Sequence, residues 1–203
     1  MTDLGQLLRR RFNPLLAAIV SGAVLLGTLA LAIENRAAIL RDGREIVLKT
    51  EPVDPRDLMR GDYVRLGYTD ISSVDAALVS GAWPPEDTTA PVWLILAPAS
   101  DGVYVPTAAS FSKPSAMAVQ DVVVLRSLPA RIMIATRTGG TNQVGPLSFG
   151  IERYYVPEGE GLEIEKAQNE GRTTVAVRVS ADGEPQIARL MIDGQTLYEE
   201  PLY

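Results

Sequence analysis

Residues 173–198 read TTVAVRVSADGEPQIARLMIDGQTLY. Apolar and β-branched residues alternate with polar ones before Asp182-Gly183, and a second apolar run ends at Asp193-Gly194. Asp-Gly between such runs signals a hairpin, because glycine supplies the positive φ that a tight turn needs. The stretch predicts successive antiparallel strands, and the same grammar recurs upstream. REIVLKTEP (residues 44–52) alternates and stops at a proline, and DYVRLGYT (residues 62–69) reads as a second strand. PVWLILAP (residues 91–98) is a buried strand, with GVYVPTA (residues 102–108) as its partner across a turn at Ser100 and Asp101. DVVVLRSLPARIMIATR (residues 121–137) supplies two more strands, broken at Ser127–Pro129.

Helical patterning is sparse. DISSVDAALVSG (residues 70–81) carries a short helix, with Ser72 and Asp75 at the spacing of a capping box. GLEIEKAQNEG (residues 161–171) carries a better one, closed by Gly171. WPPEDTTAP (residues 83–91) and TGGTNQVGP (residues 138–146) read as mobile loops. Fourteen prolines and 17 glycines favour many short elements, so the expected class is mainly β, a β-rich α+β domain.

Composition narrows the chemistry. Neither cysteine nor histidine occurs, which removes disulfides, thiol nucleophiles, Cys/His zinc sites and every His-based triad. Phosphate-binding glycine loops and nucleophile elbows are also missing, and no cofactor is expected. The formal charge is −6, and aromatics, at 6%, are not interleaved with basic residues, so no nucleic-acid partner is expected.

LLAAIVSGAVLLGTLALAI, Leu15 to Ile33, contains no charge. At 1.5 Å per residue, about 19 helical residues span about 28 Å, close to a bilayer's hydrocarbon core. Arg9, Arg10 and Arg11 precede it, which by the positive-inside rule keeps the N-terminus cytoplasmic and sends the rest across. Two readings compete. Ala30–Ala32 resembles a signal-peptidase cleavage site, whereas the length of the apolar run favours a retained anchor. Residues 1–33 hold three basic and one acidic residue, leaving 16 basic and 24 acidic beyond them, a net of −8. Such a domain will not bind anionic lipid or nucleic acid over its whole face.

The most unusual string is MRGDYVRLGY, residues 59–68. Asp54-Pro55 starts a turn, Gly61 ends it, and a strand follows from Asp62. Strand alternation puts Asp62, Val64, Leu66 and Tyr68 on one face, and Tyr63, Arg65 and Gly67 on the other. Val64, Leu66 and Tyr68 look like core, and Asp62 is placed to accept hydrogen bonds from turn amides. Tyr63 and Arg65 are left to pair with a neighbouring strand or face a partner. Farther on, Tyr154 and Tyr155 suit one core and one surface position of a strand. Glu158, Glu160, Glu163 and Glu165 follow around two glycines, without the spacing of a calcium loop.

Gly61-Asp62-Tyr63-Val64-Arg65-Leu66-Gly67-Tyr68 matches in full the motif of the GDYXXLXY family of bacterial membrane-anchored proteins. The resemblance extends to the single N-terminal anchor, to LKTEPVDPRDLMRGDY (residues 48–63) and to FGIERYYVPEGEG (residues 149–161). It implies an extracytoplasmic domain held on a membrane anchor, and it implies no activity. A weaker resemblance is to signal peptidases, which carry a Ser-Met motif shortly before Gly-Asp. Here Val53 stands at the nucleophile's place, and the three lysines, Lys49, Lys113 and Lys166, lack a general-base context.

These readings give an expected organisation: a cytoplasmic tail (residues 1–14), a transmembrane anchor (15–33), a stalk (34–44) and a β-rich extracytoplasmic domain (45–203). The expected location is a bacterial inner membrane, with the domain in the periplasm. The expected function is a noncatalytic accessory or binding module acting on an integral membrane protein. Its motif surface comprises Asp62, Tyr63, Arg65, Tyr68, Tyr154, Tyr155, Glu158 and Glu163. The alternatives are a hydrolase using Asp62, Glu158 and Glu163, or a degenerate signal-peptidase-like scaffold.

Overall fold

The computed structural model describes residues 13–52, 63–114, 121–133, 143–157 and 159–201. The chain divides into two compact units, residues 1–38 and 39–203. The first contains most of helix α1 (Pro14–Asp42), which carries the uncharged run. Leu15, Ile19, Leu25, Leu26 and Leu29 are all exposed on it. A helix apolar on every side is at home in lipid, and α1 is long and apolar enough to cross a membrane.

In the second unit α1 gives way directly to strand β1 (Arg44–Lys49). Gly43 makes the sharp exit: its N–H donates to the Ile39 carbonyl at 2.9 Å, and a Cβ there would collide with that same oxygen. The helix therefore runs through residues 34–42 without a break.

Among the described residues the strands pair antiparallel. A four-stranded sheet takes the order β1, β11 (Thr173–Val179), β12 (Pro185–Ile192), β13 (Gln195–Glu199). The two Asp-Gly pairs build different turns. At Asp193-Gly194 both residues have positive φ, 53° and 75°, as a two-residue hairpin loop of the type favoured by strand twist requires. At the other loop only Gly183 is positive, at 80°. Ser180 N–H donates to the Glu184 carbonyl at 2.9 Å and closes three residues, a type I turn ending in a left-handed glycine. Gly183 also admits close neighbours: a Cβ there would lie 3.0 Å from Arg126 Cβ and 3.2 Å from the Trp93 ring.

A three-stranded sheet has the order β6 (Tyr104–Ser110), β5 (Trp93–Pro98), β7 (Val123–Arg126). Short ribbons complete the unit. β2 (Tyr63–Arg65) pairs with β10 (Arg153–Tyr155), β3 (Val74–Asp75) with β9 (Gln143–Val144), and β4 (Thr88–Ala90) with β8 (Ala130–Ile132). The core runs through all of them, from Ile46 and Leu48 through Leu94, Leu96 and Leu125 to Val175, Val177 and Leu190. The domain is β-rich on one long N-terminal apolar helix, as the alternation implies.

Three local readings change. WPPEDTTAP is not only loop: Thr88–Ala90 forms β4, and the Trp83 ring meets Phe111 edge-on at 4.9 Å. Ser72 ends a four-residue helix α2 (Thr69–Ser72) rather than opening one. Asp75 instead caps the single 3-10 turn Ala76–Leu78, accepting from Ala77 N–H at 2.8 Å. Of TGGTNQVGP, residues 138–142 lie outside the described residues, and Gln143–Val144 forms β9. Helix α3 (Gly161–Asn169) forms as read, and Gly171 follows it at φ 70°.

Candidate functional site

The ribbon of β2 and β10 joins the two stretches that stand out in the sequence. Tyr63 faces Tyr155, Val64 faces Tyr154 and Arg65 faces Arg153 across it. Antiparallel pairs alternate faces, so each pair is a matched set. Val64 and Tyr154 point inward and are buried, at 0% and 6% exposure. Tyr63, Arg65, Arg153 and Tyr155 point outward, and Tyr155 is 76% exposed.

Interactions beyond the strand pair extend the register. Leu66 N–H donates to the Glu152 carbonyl at 3.0 Å. Tyr68 donates its hydroxyl to the Ile151 carbonyl at 2.8 Å, and its ring is buried with Leu66. Glu152 folds back on its own turn, accepting from Phe149 N–H at 2.5 Å and Gly150 N–H at 2.9 Å, one through each carboxylate oxygen. Gly150, at φ 80°, makes that turn feasible.

Helix α3 buttresses the ribbon from inside. Its buried Gln168 donates through Nε2 to the Glu51 carbonyl at 2.7 Å and to the Arg65 carbonyl at 3.1 Å. Glu51 in turn exchanges two backbone hydrogen bonds with Gly67, at 2.9 and 3.2 Å. A single amide thus ties the end of β1 and the end of β2 to one helix.

Two tyrosines here hold their protons tightly. Burial pushes the Tyr68 hydroxyl well above its usual range, with the Glu152 charge adding to the shift. Tyr154 is pushed up to about 12, first by burial and then by the charge of Glu200 and a hydrogen bond to it. Both are neutral structural groups at physiological pH rather than acids or bases poised for chemistry.

On the outer face the Tyr63 and Tyr155 rings are tilted, with centroids 6.1 Å apart. The Arg153 guanidinium lies over the Tyr63 ring, 5.6 Å from its centroid, within the range of a cation–π contact. Arg65 also lines an open cavity of about 440 Å³, together with Glu51, Thr69, Phe149 and Glu152. Both carboxylates there are already engaged, Glu51 by the Thr69 hydroxyl and Glu152 by backbone amides. Neither is a free acid or base aimed into the space.

Of the site residues expected from sequence, Tyr63, Arg65, Tyr154 and Tyr155 come together on the ribbon, and Tyr68 locks its flank. Asp62 and Glu158 lie outside the described residues, as does Val53. Glu163 sits exposed in the first turn of α3. The convergence required by the hydrolase reading therefore rests on residues that are not described. Lys113, one of the three lysines, is paired to Asp182 at 2.7 Å, not to a serine. Among the described residues no three metal-binding side chains group together. Arg153 was not singled out, although the alternation in ERYYV places it on the same face as Tyr155.

The family model described as GDYXXLXY protein matches residues 25–190. No curated protein and no solved structure matches the chain.

Proposed function

The chain belongs to the GDYXXLXY protein family, and from that premise we propose that it is a noncatalytic, membrane-anchored accessory module that binds a protein partner through the outer face of the β2–β10 ribbon. The observation that carries this reading is the composition of that face. Tyrosine and arginine are the residue types that dominate binding energy at protein interfaces. Here two of each sit on a ribbon whose inner side is fixed in the core, so the face is held in place before any partner arrives.

We propose further that α1 holds the domain at a bacterial inner membrane with its N-terminus in the cytoplasm and residues 45–203 outside it. Arg9, Arg10 and Arg11 support that orientation. The partner is then another integral membrane protein. Because the chain has no cysteine, a single introduced one is a unique handle. Tyr155→Cys in spheroplasts is expected to react with a membrane-impermeant maleimide before lysis, and reaction only after lysis would reverse the assigned topology.

The binding reading is tested by the double substitution Tyr63→Ala/Tyr155→Ala in the full chain. Co-purification of the partner from solubilised native membranes is expected to be lost, with the thermal midpoint changed by no more than a few degrees. Unchanged co-purification contradicts the assignment of this face.

A further inference from the structure

The outer face holds an electrostatic conflict. Arg65 and Arg153 are direct cross-strand partners, and like charges placed opposite each other destabilise a strand pair. Among the described residues neither guanidinium has an ion-pair partner, while four other arginines of the sheets are matched: Arg44 with Asp121, Arg126 with Glu184, and Arg178 and Arg189 both with Glu45. The domain beyond residue 33 has 24 acidic residues against 16 basic ones. In so acidic a domain, two arginines set directly opposite each other across a strand pair stand out.

Resting on the binding reading above, we propose that the partner presents a carboxylate-bearing segment, and that an Asp or Glu side chain of that segment docks between Arg65 and Arg153. Such a group relieves the repulsion and forms charge-assisted hydrogen bonds to both guanidinium groups, which are about twice as strong as neutral ones. Arg153 is already placed on this face, its guanidinium lying over the Tyr63 ring 5.6 Å from the centroid. The tilted Tyr63 and Tyr155 rings lie one residue pair along the same face. They cover the acid's flanking residues and shield the new ion pair from water, which strengthens it.

The occupant is a protein segment rather than a small anion or a lipid. The face is an exposed ribbon, so a free carboxylate would gain too little from it to bind. An anionic lipid surface presents its charge to the whole domain, and a net charge of −8 opposes that approach. A polypeptide brings its acid locally, with apolar and backbone groups to cover the tyrosines.

The test uses the full chain in native membranes with a photocrosslinking residue in place of Tyr155, the adduct being mapped by mass spectrometry. The crosslinked peptide of the partner is expected to contain Asp or Glu. Arg65→Gln/Arg153→Gln is expected to lower adduct yield at least about tenfold, Arg65→Lys/Arg153→Lys to restore part of it, and raised salt to weaken only the arginine- or lysine-bearing forms. Reversing both charges, Arg65→Glu/Arg153→Glu, together with Lys at the mapped acid of the partner, is expected to recover capture. Capture unaffected by the glutamine pair overturns the carboxylate inference and leaves the ribbon as the docking face. No adduct in the unsubstituted background overturns the docking face itself. An adduct to phospholipid or to a second copy of this chain also overturns the inference.

Discussion

The Tyr68 hydroxyl donates to the carbonyl of Ile151 at 2.8 Å, across 83 residues of sequence. That contact links the last residue of the motif to the FGIERYY stretch and sets the register in which Tyr63 meets Tyr155. Replacing Tyr68 by Phe keeps the ring and orphans a carbonyl. The full chain in detergent is expected to lose about 1–2 kcal/mol in denaturant unfolding, the usual penalty for one buried unpaired group.

Gln168→Leu goes further, because its Nε2 serves two carbonyls, those of Glu51 and Arg65. Both acceptors would be left without this donor. A loss of about 2–4 kcal/mol is expected, larger than that of Tyr68→Phe in the same measurement. A loss no larger than that of Tyr68→Phe would mean that the Gly67 N–H, which the Glu51 carbonyl keeps, already satisfies that acceptor.

Two neighbouring threonines should respond with opposite signs. Thr50 and Thr173 are both fully buried, yet only Thr50 uses its hydroxyl, donating to the Thr173 carbonyl at 3.1 Å. Among the described residues the Thr173 hydroxyl has no partner. Thr173→Val is expected to raise stability by up to about 1 kcal/mol, and Thr50→Val to lower it by about 1 kcal/mol. Paired thermal melts decide this directly.

Tyr154 predicts an alkaline limit. Its pKa is about 12 in the folded chain against 10 for an ordinary tyrosine. A raised pKa means that the folded state holds the proton more tightly. Its contribution is therefore complete below pH 10 and is lost as pH climbs from 10 through 12. Tyr154→Phe should flatten that part of the stability profile, and an identical alkaline slope in both proteins would remove Tyr154 as a source.

Much of this was legible because it is local. Period-two alternation placed Tyr63 and Arg65 opposite Val64, and Tyr154 opposite Tyr155. The turns at residues 181–183 and 193–194 follow from Asp-Gly chemistry. The pairing of β2 with β10 was not legible. Register between distant strands is set by core fit, here by Tyr68 reaching Ile151 and Leu66 reaching Glu152. Arg153 was hidden for the same reason, since its significance appears only once Arg65 is known to lie opposite. Gln168 gave no signal, because a lone polar residue in KAQNEG reads as helix surface until the strand ends it serves are in place. β4 escaped because prolines and acids flanking a three-residue strand outweigh its own propensity.

The proposed binding requires that the β2–β10 face, and not exposed surface in general, meet a partner protein. Tyr155 on that face and Leu197 on β13 are both exposed, at 76% and 47%, and each can carry a photocrosslinker in native membranes. A discrete adduct to another protein is expected from position 155 and none from position 197. Equal adducts from the two positions, or monomer alone from both, would contradict it.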